Sequence, residues 1–220
     1  MLTLGLVLVV ISTVFLVAAL AGGSDDPAGF YLHARTGLTV FPDCLRFAPD
    51  VRYVDVGTKP SWHPVMVALV EPCETARAEG QPNALHRTYL DRFGNKADVP
   101  CKRKMLGTMP TGAAVRLMPH RDVLGIAEGL ETAMSASILF KVPVWAALSD
   151  GLLQDWVPPP NVRTVLIFGD NDESFAGQTA AYTLAKRLKA KGLTTSVELP
   201  VRSGTDWNDV YLQTRRSTSP

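Results

Sequence analysis

The chain holds only three cysteines in 220 residues, Cys44, Cys73 and Cys101, and no two of them stand in a CxxC or CxxH pair. The odd number at wide spacing argues against a disulfide framework, and the missing pairs argue against a closed zinc site. Three scattered thiols suit a reducing cytosol, so the expected location is cytoplasmic. Charge of one sign is lacking as well: 22 Lys plus Arg face 21 Asp plus Glu, for a net of +1. Any polyanionic partner must therefore be met by a local patch. Aromatic residues make up 8% and form no ladder on which bases could stack. Trp145, inside an apolar run, reads as packing. No internal repeat is present, so the chain is not an array of like units.

Charge is also missing from residues 2–21, a run of about 20 residues. As a helix at about 1.5 Å per residue it would reach about 30 Å, the hydrocarbon thickness of a bilayer. No Lys or Arg precedes it, which is unlike a secretory signal, although Ala19-Leu20-Ala21 resembles a cleavage site. Three readings compete: a hydrophobic helix that anchors the chain to a membrane, an export segment, and a misassigned start ahead of a soluble domain.

The remainder is ordinary globular composition, 46% hydrophobic and 20% charged, enough for one sizeable domain or two small ones. From Tyr31 to Met118 short apolar runs (65–71, 84–91, 113–119) are broken by Pro, Gly and charged residues. This predicts a small antiparallel sheet, with "DRFGNK" (91–96) as a turn between strands. After His120 the texture becomes a regular alternation. Strands are expected over 122–127, 142–148, 162–170 and 194–200, and helices over 130–140, 151–156 and 176–192. Such alternation implies a parallel four-stranded sheet flanked by helices, an α/β architecture with its ligand site outside the carboxyl ends of the strands. The expected organisation is a hydrophobic segment (1–27), a small α+β domain (28–119), an α/β domain (120–213) and a tail (214–220).

Acids collect at those strand ends. Glu128 follows the first strand, Asp170 and Asp172 the third, and Asp206 and Asp209 the fourth. Crowded carboxylates raise one another's pKa unless a cation neutralises them. A hard divalent metal, Mg²⁺ before others, explains the crowding and serves phosphoryl transfer. Any one of these acids could instead be a helix N-cap or first-turn residue, Glu131 above all. Gly129 and Gly169 are expected to allow tight turns beside them. Basic residues that could grip phosphate are Arg87, Lys102, Arg103, Lys104 and Arg116. Arg87 shares a strand face with Leu85 and Tyr89, an odd place for an unpaired cation, where the alternative is a buried salt bridge.

Three segments, "GIAEGLETAMSA" (125–136), "VLIFGDNDESFAGQTAAYTLAKRL" (165–188) and "GTDWNDVY" (204–211), resemble the signature segments of the Toprim domain of primases, topoisomerases and related nucleases. The likeness is nearest to primase-like Toprim proteins of phages and plasmids, and "YLHARTGL", "LRFAPDVRY", "HPVMVALV", "HRTYLDRFGNKA" and "KRKMLG" resemble the segment that precedes Toprim there. The resemblance implies Glu128 as general acid/base or metal ligand, Asp170 and Asp172 as Mg²⁺ ligands with Mn²⁺ as a substitute, and Asp206 as a further candidate. It implies nucleotidyl transfer in the DNA replication of a phage, plasmid or integrated element, with single-stranded DNA template and NTPs as partners. The alternatives are a Toprim nuclease and a catalytically weak accessory module that binds nucleic acid. The resemblance also leads one to expect a cysteine-rich zinc module and often a helicase, and neither is in this sequence; the expectation is a weak primase on its own, or one that works with a separate helicase or zinc-module protein.

Overall fold

The computed structural model describes Leu20, Ala21, Gly23 and residues 25–218. It separates into two units, residues 1–69 with 84–108 and residues 70–83 with 109–220. Most of the apolar run, 2–19, lies outside the described residues. Its last two members, expected to end a helix, instead form a strand β1 (Leu20–Ala21) paired antiparallel with Phe47 and Arg46, because an open sheet edge supplies partners for their backbone groups. Among the described residues no helix is long and apolar enough to cross a membrane.

In the first unit, local chemistry sets helix α1 (Pro27–Thr36). Asp26 accepts from the Gly29 N–H at 2.9 Å, Pro27 occupies the first turn, and Gly37 closes the helix at φ 72°. The sheet runs β1-β2-β3-β4-β5, with β2 (Leu45–Tyr53), β3 (Ser61–Val70), β4 (Ala84–Tyr89) and β5 (Arg103–Leu106). Pairs β2/β3 and β4/β5 are antiparallel, and β2 slips register between Ala48 and Val51, where Pro49 cannot donate to a ladder. The sheet face buries Ala48, Val65, Val67 and Leu85 with Tyr53 and Tyr89, whose rings meet edge to face at 5.0 Å. The 91–96 turn forms as expected. The Asp91 carboxylate accepts from the N–H groups of Phe93 and Asn95, and Gly94 takes φ 81°. The basic run 102–104, which reads as a solvated loop, partly belongs to edge strand β5. The expected strand over 113–119 is not part of this sheet. Ala114 and Val115 make only isolated bridges, to Glu71 and Ala146, within the second unit.

The second unit carries α2 (Glu74–Ala78) and a sheet of β6 (Val123–Ala127), β7 (Val144–Ala146), β8 (Thr164–Phe168) and β9 (Thr194–Glu198) in the order β7-β6-β8-β9. Every neighbouring pair is parallel, so the expected α/β sheet is present. Its helices are α3 (Leu130–Phe140), α4 (Asp150–Asp155), α5 (Ala176–Ala190) and α6 (Trp207–Thr218). Leu124, Ile126, Val165 and Ile167 of the central strands pack with Ala180, Ala181, Leu184 and Leu188 of α5 and with Trp156. Gly125 has no room for a side chain, since a Cβ would stand 2.7 Å from both Phe168 and Val144. Helix α6 continues through 214–218. Its first residue, Trp207, packs edge-on against Phe140, and Asn208 donates to Ser135 Oγ at 2.8 Å.

Chain order fixes where a site can form. From β6 the chain steps to β7 on one side, whereas β8 leads to β9 on the other. The switch point is therefore at the carboxyl ends of β6 and β8, the crevice where open parallel sheets bind ligands.

Candidate functional site

Residues Ala127 and Phe168 are register partners at the ends of β6 and β8. Glu128 follows the first directly, and Asp170 lies two residues beyond the second, so the sheet itself brings these acids to the switch point. Asp170 shows the consequence. Burial and then the charges of Asp206, Glu128, Asp172 and Asp209 push its carboxyl up to about 7 from 3.8. Its Oδ1 is buried without a hydrogen-bond partner.

The neighbouring acids are more fully engaged. Asp172 Oδ2 accepts from the Gly177 N–H at 3.0 Å. Gly177 is obligatory there, because a Cβ would lie 2.8 Å from the Asp170 carbonyl oxygen and 3.0 Å from Asp172 Oδ2. Asp206 Oδ1 accepts from the Asp209 N–H at 2.8 Å, and Asp209 Oδ2 accepts from the Asp206 N–H at 3.3 Å. This reciprocal cap starts α6. The Thr132 hydroxyl donates to the other Asp206 oxygen at 3.4 Å. Asp206 thus combines a capping role with a place among the acids. Glu131 is buried in the first turn of α3.

The glycines beside the acids act differently from the sequence expectation. Gly129 sits at φ −87° as the N-cap of α3, and Gly169 does not take positive φ. Gly169 is needed for close packing, since a Cβ would meet Leu199 at 2.8 Å and Ala181 at 3.0 Å.

Two polar residues that nothing in composition or periodicity marks hold the acid loops together. Gln178 donates through Nε2 to Asn171 Oδ1 and to the Asp172 carbonyl, both at 2.8 Å. Asn171 in turn donates through its backbone N–H to Thr205 O at 3.0 Å and through Nδ2 to Pro200 O at 2.8 Å. The loop after β9 is thereby stitched to the residue between Asp170 and Asp172.

The five basic residues do not form one set. Thr88 and Arg103 are direct cross-strand partners, and so are Arg87 and Lys104, the latter a like-charge pairing that a sheet tolerates only with compensation. Lys104 has it: Asp55 Oδ2 at 3.0 Å, the Val54 carbonyl at 2.7 Å and the Tyr53 ring beneath its ammonium. Arg87 donates to Met105 O at 3.2 Å and lies over the Tyr89 ring at 5.7 Å. Its Nε is buried without a partner, and no salt bridge accounts for it among the described residues. Lys102 and Arg103 are exposed. Arg116 belongs to the second unit, where it pairs with Glu74 at 2.7 Å and Glu71 at 3.4 Å and covers the Trp145 ring at 5.0 Å. Trp145 is buried and donates to Met118 O, as packing requires.

A family model described as "Toprim domain" matches residues 123–217, a span that contains the switch point and every acid above. The chain carries a Toprim domain. A second model, described as a domain of unknown function (DUF7146), matches residues 16–117. No curated protein matches. Among solved structures the chain is similar to the Aquifex aeolicus primase (zinc-binding and RNA polymerase domains), at 14% identity over 84% of this chain and 53% of that one, with a TM-score of 0.53. It is also similar to the primase fragment of the bacteriophage T7 primase-helicase protein, at 16% identity over 85% and 66%, TM-score 0.49. A third is a DNA primase domain from Pseudomonas aeruginosa, at 15% identity over 76% and 54%, TM-score 0.46. The chain spans between 53% and 66% of the length of these three structures.

The acid edge of the Toprim domain fits a hard divalent cation by its donor chemistry. It offers only oxygen ligands, one of them the buried, unpartnered Asp170 Oδ1. Among the described residues no three His, Cys, Asp or Glu already stand together as a cage. Mg²⁺ does not require one, because it takes one or two carboxylates and fills its remaining positions with water or phosphate oxygens.

Proposed function

We propose that this chain is a Mg²⁺-dependent, primase-like nucleotidyl-transfer enzyme acting on single-stranded nucleic acid in DNA replication. The observation that carries the reading is Asp170, a carboxyl held near a pKa of about 7 by burial and four other acids at a topological switch point. A fold shared with a primase supports it. Asp170 and Asp172, with Glu128 and Asp206, would hold Mg²⁺, or Mn²⁺ in its place. When bound there, the ion supplies charge neutralisation and a clamp on the oxygens of a transferring phosphoryl group. Glu128, just after β6, would accept a proton from an attacking hydroxyl. Gln178 and Asn171 keep the acid loops in register, and Thr132 orients Asp206. On the first sheet Arg87, with Lys102 and Arg103 nearby, offers cationic groups to a template backbone. Lys104 and Arg116 have carboxylate partners and are weaker candidates. A helicase or a zinc-module protein supplied separately would be the partner in replication.

The test is incubation of the full chain with single-stranded DNA, labelled NTPs and Mg²⁺ or Mn²⁺, beside a Glu128→Gln control, with products resolved by length. Short new oligomers absent from the control are expected. Shortened template that the control spares would replace this reading with strand cleavage, and binding without turnover would replace it with an accessory role.

A further inference from the structure

Two side chains on the acid edge remain outside the roles assigned above. Phe175 takes φ 61°, a left-handed conformation that disfavours any residue with a Cβ. Burial would explain a phenyl ring retained there, yet the ring is 67% exposed. Its backbone is well held, with its N–H donating to Asp172 O at 3.2 Å and its carbonyl accepting from the Thr179 N–H at 3.0 Å. The ring is therefore displayed beside the Asp170–Asp172 loop. Arg202 is exposed, and its guanidinium has no partner among the described residues. It sits in the loop that Asn171 grips, where Gly204 donates to Asn171 O at 2.7 Å and Asn171 donates to Thr205 O at 3.0 Å. An apolar ring and an uncompensated cation thus flank the same acids from two different loops.

We propose that Phe175 is the stacking surface for one unpaired nucleobase beside the acid edge, and that Arg202 pairs with a phosphate of the same ligand. The inference rests on the nucleic-acid reading above and adds to it the residues that seat a base and its phosphate. Aromatic faces accept any base, so the seat is tolerant of sequence. An unpaired base with its phosphate is shared by a single strand and by a free nucleoside triphosphate.

Fluorescence anisotropy on the full chain in Mg²⁺ tests this without turnover. The probes are a labelled oligothymidylate, an abasic oligomer of the same length, and labelled ATP. Because glycine accepts φ 61° freely, Phe175→Gly removes the ring without straining the loop. It is expected to weaken a base-bearing probe about 10-fold, to leave the abasic oligomer unchanged, and to leave Tm no lower. Phe175→Trp should retain wild-type binding. Phe175→Leu, apolar but without a π-face, repeats the loss if the glycine variant unfolds. Arg202→Ala should lower the salt dependence of binding to both oligomers by about one phosphate contact. Loss on the oligothymidylate assigns the seat to a strand, and loss confined to ATP assigns it to a nucleotide. Phe175→Gly binding all three probes like wild type, or losing base-bearing and abasic oligomers equally, overturns the proposal and leaves the function reading standing. A wild-type chain that binds none of the probes overturns both.

Discussion

In the first unit Asp55 is surrounded by donors, whereas in the second Asp170 is surrounded by acids. Tyr53, Lys104 and the Val56 N–H hold the Asp55 carboxyl down to about 2, and burial opposes them only weakly. Burial and four acids push Asp170 up to about 7. Both are aspartates near the end of a strand, so residue type does not separate them. What differs is whether the fold supplies compensation. Asp55 links Lys104 and Tyr53 and leaves little for a ligand to gain, whereas Asp170 keeps one oxygen buried without a partner and its carboxyl is raised by the acids around it. A buried carboxyl raised by neighbouring acids at a sheet switch point is what a functional site looks like, and a carboxylate held down by donors is what a structural tie looks like.

The contrast can be broken most directly through activity. Asp170→Asn or Glu128→Gln should lower primer synthesis at least 100-fold while leaving Tm equal to or above that of wild type. A loss of activity that tracks a loss of Tm would instead make these acids structural. Titrating stability comes next. The folded pKa of Asp170 is raised above the unfolded value of 3.8, so its contribution is fully present below pH 3.8 and is lost as pH rises through about 7. The difference corresponds to about 4 kcal/mol at most. Asp170→Asn should therefore be more stable than wild type at pH 8, with the gap closing toward pH 4, and Mg²⁺ should raise Tm at pH 8 in the wild type more than in the variant. Thermal melts at both pH values, with and without Mg²⁺, measure this.

Packing around the acids gives a smaller effect. Gly177→Ala drives a Cβ into Asp170 O and Asp172 Oδ2, and a cost of about 1–3 kcal/mol is expected in urea unfolding. Arg116→Ala, which removes the Glu74 pair, leaves Glu71 to Arg77 and uncovers Trp145, should cost about 1 kcal/mol and leave the salt slope of nucleic-acid binding unchanged. A change in that slope would return Arg116 to the phosphate-binding set. The smallest shift is expected at Asp55, whose folded pKa is depressed. Its contribution is present above the unfolded value of 3.8 and is lost as pH falls through about 2. The melting temperatures of wild type and Asp55→Asn should therefore differ slightly at pH 7 and converge in acid.

Much of the second unit was legible because its signals are local. Helix α3 runs over the 130–140 span expected from its apolar pattern, and the four strands fall inside their expected ranges, since periodicity and Gly and Pro stops act within a few residues. The first unit was harder. Its sheet takes strands in chain order, so nothing along the chain marks where the sheet stops, and 113–119 read as one more member although it bridges to Glu71 and Ala146 instead. Helix α6 (Trp207–Thr218) is not among the helices expected from the sequence, because its first turn is capped by acids that read as site residues.

By itself the sequence determined the alternation of strands and helices and the placement of Glu128, Asp170, Asp172 and Asp206 at strand ends or the loop after them. These follow from side-chain pattern along a single segment. Only the tertiary structure decided which of those charges meet compensation. Lys104 found Asp55 and Arg116 found Glu74 across the fold, while Asp170 was buried among acids with one oxygen unpartnered. A carboxyl's pKa depends on what surrounds it in space, and spacing along a chain does not carry that information.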